Sequence, residues 1–63
     1  MTENNYYKEI TIIILLYKEK TNLIFQCLEN IKNFKIIIVD NAKDIYLKKK
    51  IEEKFQIYKY ILS

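Results

Sequence analysis

Sixty-three residues, 51% of them hydrophobic, are too apolar for a disordered tail and too few for a comfortable core, so one domain or part of one is the bound. A single cysteine, Cys27, and the absence of histidine exclude an internal disulfide and an ordinary zinc site. The net charge of +3 rests on lysine without one arginine, which ranks nucleic acid far below simple solvation, because phosphate and base-edge recognition favour the guanidinium fork.

Residues 1–9, MTENNYYKE, form a polar lead-in that lacks the positive start and small-residue cleavage site of an export signal. The apolar run from Ile10 to Leu16 is far short of the ~20 residues that a membrane span needs. A reducing, cytoplasmic location without a transmembrane segment is therefore expected. Ile10 to Tyr17 reads as a first strand, continuous in its apolar character and so expected to be buried on both faces. Glu19 to Asn33 is helical by period. Leu23, Ile24, Cys27, Leu28 and Ile31 fall on one stripe, which makes Cys27 a packed core thiol. Thr21 is placed to cap the start of this helix, with a start one turn earlier as the alternative, and Asn33 to take the left-handed position after its end.

Lys35 to Asp40 is a second strand of the same doubly buried kind, with Ile36, Ile37, Ile38 and Val39 in succession. Asp44 is a good N-cap for a second helix whose buried side carries Leu47, Ile51 and Phe55, four residues apart. Lys48, Lys49 and Lys50, with Glu52 and Glu53 one turn on, read as a solvated, ion-paired face. Ile57 to Leu62 is a third strand, setting Tyr58, Tyr60 and Leu62 against Ile57, Lys59 and Ile61. The pattern predicts an α/β fold: a three-stranded parallel βαβαβ half of a Rossmann-like domain, strand order 3-2-1. Right-handed crossovers then put both helices on one face and leave the other bare. A strand order with the first strand in the middle would instead cover each face with one helix.

No glycine is present, so the usual backbone cradles for phosphate are excluded. Ligands of open α/β sheets bind at the carboxyl ends of the strands. The candidates there are Tyr17, after the first strand, and Asp40 with Asn41, after the second. Each also has a plain role to weigh: Asp40 and Asn41 as turn residues, Asp44 as a cap, Tyr17 as a lid on the sheet end.

The segments ITIIILLYKEK, LIFQCLENI and KIIIVDNAKD, in that order, resemble the N-terminal third of family 2 glycosyltransferases, inverting enzymes of the GT-A fold that use nucleotide sugars. YKYILS resembles the third strand of the rhamnosyltransferase-like branch. The resemblance implies that residues 10–63 are the nucleotide-recognition part of an incomplete GT-A-like domain. It implies that Tyr17 lies against the nucleobase of a UDP- or dTDP-type donor, that Asp40 accepts from the base imide N–H, and that Asn41 adjoins them. A uracil or thymine ring offers one N–H between two carbonyls, and a carboxylate is an acceptor only. No catalytic or metal-binding residue is assigned to this chain; a divalent cation, Mg or Mn, is implied only for the complete enzyme. The fragment is expected to be inactive alone and to self-associate or meet a completing C-terminal part. The rival expectation is a small standalone α/β protein-interaction module that binds no nucleotide.

Overall fold

Five elements succeed one another in the computed structural model, which describes residues 10–63: β1 (Thr11–Leu16), α1 (Thr21–Ile31), β2 (Lys35–Asp40), α2 (Ile45–Lys54) and β3 (Lys59–Leu62). The lead-in expected over residues 1–9 lies outside the described residues. Each β-branched run becomes a strand, because branched side chains pack well on a pleated surface. β1 pairs parallel with β2, from Thr11 opposite Lys35 to Leu16 opposite Asp40. β2 pairs parallel with β3, from Ile37 opposite Lys59 to Asp40 opposite Leu62. The sheet order is β1-β2-β3, so β2 is central and the arrangement with β1 in the middle is not adopted.

One face of the sheet carries the whole core. Leu16, Ile36 and Ile38 pack there with Ile24 and Leu28 of α1, Leu47 and Ile51 of α2, and Phe55 just after it. Both helices therefore cover the same side. The alternate residues point the other way: Ile13 and Leu15 are 63% and 54% exposed, Ile61 is 41% exposed, and Ile37 and Val39 are half-buried. The expectation of doubly buried strands is thus corrected. A continuous apolar run reads the same whether one or two helical layers cover it, and here only one layer is present.

The first helix departs from expectation in three ways. Lys20, not Thr21, is the N-cap, and no side chain caps that end. Asn33 does not enter the left-handed region; the chain leaves α1 through an ordinary right-handed Lys32, with the Phe34 N–H donating to the Ile31 carbonyl at 3.0 Å. Cys27 is exposed rather than packed, and so is Leu23. The buried stripe is rotated toward Ile24, Phe25, Leu28 and Ile31. The Phe25 ring explains the rotation: it meets Phe55 edge-on, 5.6 Å between centroids and 79° between planes, which turns α1 toward α2.

The second helix starts as its sequence requires. Asp44 is its N-cap, and its carboxylate accepts from the Leu47 N–H at 3.0 Å. Lys48 pairs with Glu52 at 2.9 Å on the solvated side. Asp44→Ala should cost about 1 kcal/mol through loss of this cap. In a domain of this size that lowers the melting temperature by roughly 4–8 °C, which thermal denaturation followed by circular dichroism will read.

Candidate functional site at the carboxyl rim of the sheet

The parallel β1–β2 ladder brings the three candidate residues to one rim. Leu16 stands opposite Asp40, and the Asn41 N–H donates to the Leu16 carbonyl at 2.9 Å, which extends the ladder past its last pair. Tyr17 follows at once from β1. The residue is 63% exposed, and its N–H donates to the Glu19 carboxylate at 2.6 Å. The next residue, Lys18, turns the chain with a φ of 74°, a left-handed position taken without glycine. Asn41 is exposed as well. Tyr17 and Asn41 therefore offer a ring face and a carboxamide to solvent at one edge.

Asp40 is different. It is the only polar residue buried among the described residues, with no exposed surface. Its Oδ1 accepts from the Ala42 N–H at 2.9 Å; its Oδ2 accepts from the Asp44 N–H at 3.1 Å and from the Tyr60 hydroxyl at 2.8 Å. Its carbonyl accepts from Lys43, at 3.3 Å, and from Ser63, at 3.0 Å. One aspartate thus ties together the end of β2, the turn into α2 and the end of β3. The turn passes through Lys43 at a φ of 54°, and the carboxylate holds the amides on either side of that residue.

Tyr60 is the residue that sequence reasoning missed. Its alternation with Lys59 and Ile61 put it on the same side as Tyr58 and Leu62, but without the β2–β3 register nothing pointed it at Asp40. In register it lies opposite Ile38, half-buried, with the hydroxyl reaching past the ladder to the carboxylate. Burial first, then the hydrogen bond to Asp40 and its negative charge, hold the Tyr60 phenol well above the ordinary tyrosine range. The hydroxyl keeps its proton, and remains a donor, throughout the neutral range.

A hollow of about 530 Å³ opens at the opposite end of the strands, between Asn33, Lys35, Gln56 and Tyr58. Its cations are engaged: Lys35 lies over the Tyr58 ring at 4.0 Å, and Lys32 pairs with Glu29 at 2.6 Å. Among the described residues no group of three or more acidic or cysteine side chains could hold a metal ion, and no helix is long and apolar enough to cross a membrane. Comparison with protein-family models, with curated proteins and with solved structures finds no match.

Proposed function

We propose that the chain is the N-terminal, nucleotide-sugar-recognising part of a family 2 glycosyltransferase, which transfers a sugar from a UDP- or dTDP-type donor when a C-terminal part completes it. The observation that carries this reading is the β1–β2 ladder. It sets the end of each strand on one rim, with Leu16 opposite Asp40 and with Tyr17 and Asn41 following directly. Three segments that resemble the family lie in the family's order along the same elements. In this reading the exposed Tyr17 ring stacks on the base, Asp40 accepts from its imide N–H, and Asn41 borders the pair. A divalent cation, where the complete enzyme uses one, takes its ligands from outside these residues.

The base contacts alone amount to a stacking contact and a hydrogen bond, each worth ~1–3 kcal/mol. Against the ordering cost of association that leaves millimolar affinity or weaker. Titration of UDP or dTDP into the labelled chain, followed by backbone amide NMR, should move the signals of Tyr17 and Asn41. Tyr17→Ala should weaken binding about fivefold or more through lost stacking. Because the Tyr17 side chain is largely exposed, the melting temperature should stay where it is. Nucleotide that moves no rim signal, or that binds Tyr17→Ala equally well, contradicts the reading.

The bare sheet face favours a second reading. Ile13, Leu15 and Ile61 form an exposed apolar surface of the kind that partner proteins cover. On that reading the chain is an interaction module, Asp40 is only the knot of its rim, and nucleotide moves no signal.

A further inference from the structure

Asp40 has three donors, and they are not equivalent. The Ala42 and Asp44 amides belong to the turn that starts α2, so neither can leave the carboxylate without undoing the turn. The third donor, the Tyr60 hydroxyl, comes from twenty residues further along the chain. It sits on a four-residue edge strand whose neighbours Lys59, Ile61 and Leu62 are exposed. The Tyr60 ring packs on the edge of the core, with the Lys48 ammonium 5.8 Å from its centroid, and its tip is held by one hydrogen bond. Of the three donors it is the only one on a rotatable side chain, able to swing away while the turn stays closed.

We infer that Tyr60 is a gate on the rim: its hydroxyl fills the acceptor position on Asp40 Oδ2 that a nucleobase imide N–H would take. The inference rests on the reading of Tyr17 and Asp40 as a nucleotide rim, and adds to it how the site is closed. Opening exchanges one neutral donor for another. A phenol O–H leaves, a uracil or thymine N–H arrives, and the carboxylate keeps its full set of hydrogen bonds. The same exchange rejects cytosine, whose corresponding ring nitrogen is a bare acceptor and would face the carboxylate with no proton between them. Tyr60 therefore both occludes the site and leaves behind a position that the imide N–H of uracil or thymine fills and the bare ring nitrogen of cytosine cannot.

The test is titration of uridine monophosphate and cytidine monophosphate into the full chain as wild type, Tyr60→Phe and Tyr60→Ser, followed by amide NMR. Tyr60→Phe removes the hydroxyl that tethers the ring to Asp40, so the ring swings aside without breaking a hydrogen bond; Tyr60→Ser also clears the space. Both should bind uridine monophosphate about tenfold more tightly than wild type, the worth of one hydrogen bond to a charged group. Neither should gain affinity for cytidine monophosphate. Wild-type and variant affinities that are equal overturn the gate and leave the nucleotide rim standing. Absence of binding to all three proteins overturns both. If Tyr60→Ser loses its dispersed spectrum, Tyr60→Phe alone decides: equal affinity to wild type overturns the gate, and tighter binding supports it.

Discussion

Replacing Asp40 by alanine is expected to remove a large part of the chain's stability. Alanine leaves the Ala42 and Asp44 amides and the Tyr60 hydroxyl without their acceptor; Asp40 itself has no exposed surface, Ala42 and Tyr60 are half-buried, and Asp44 is exposed. An orphaned donor costs roughly 1–3 kcal/mol where water cannot reach it, and less where it can. A domain of this length has only about 3–9 kcal/mol of stability in all. Among the described residues no buried side-chain polar atom otherwise lacks a partner, so this substitution creates a defect the fold does not have. Asp40→Asn should fall between, since its remaining carbonyl oxygen still accepts from one amide while its NH2 faces another donor. Combining Asp40→Ala with Tyr60→Phe removes one orphan with its acceptor and should cost less than the two single changes summed. Denaturation followed by circular dichroism measures wild type and the four variants. A melting temperature for Asp40→Ala within a few degrees of wild type would show that the knot contributes little.

The second large effect concerns the bare face of the sheet. The wild-type chain should bind a hydrophobic dye and associate as its concentration rises, because Ile13, Leu15, Ile37, Val39 and Ile61 form one apolar patch in adjacent rows. Each large aliphatic side chain left in water forgoes about 1.5–3 kcal/mol of burial. Changing Ile13, Leu15 and Ile61 together to threonine should abolish dye binding and association. It should leave the fold intact, since none of the three belongs to the core and threonine suits a strand. Dye fluorescence and analytical ultracentrifugation give the readout. A wild-type chain that is already a monodisperse monomer without dye binding would refute the expectation.

The sequence carried the elements well and their surroundings poorly. Ile36 to Val39 announced a strand, and Asp44 announced the start of a helix. Leu47, Ile51 and Phe55 fell on the buried side as their spacing required, because these signals are local. Cys27 and Leu23 misled because helical period fixes which residues share a stripe but not how that stripe is rotated against its neighbours. The rotation came from Phe25 meeting Phe55, a contact between residues thirty apart. Of the rim, Tyr17, Asp40 and Asn41 were legible from their places at strand ends, and the ladder does bring those ends together. The closure of Asp40 by Tyr60 was not legible, because it depends on the register of β3 against β2.

Strands that touch in the sheet follow one another in the chain but are never joined by a tight turn: Thr11 meets Lys35 and Ile37 meets Lys59, with a whole helix between the partners each time. A closed loop must therefore form before either ladder yields its first hydrogen bond, and such non-local pairing makes folding slow for so small a domain. β2 is common to both loops, and each loop brings its own helix. The β1–α1–β2 half and the β2–α2–β3 half can thus each nucleate on the same central strand, and whichever closes first prepares a ready-made edge for the other. Ile38, wholly buried beneath the helices, belongs to both nuclei, whereas Tyr60 belongs to one. On this topology, substitutions in β2 should slow assembly most, and the edge strand that arrives sooner should choose its route.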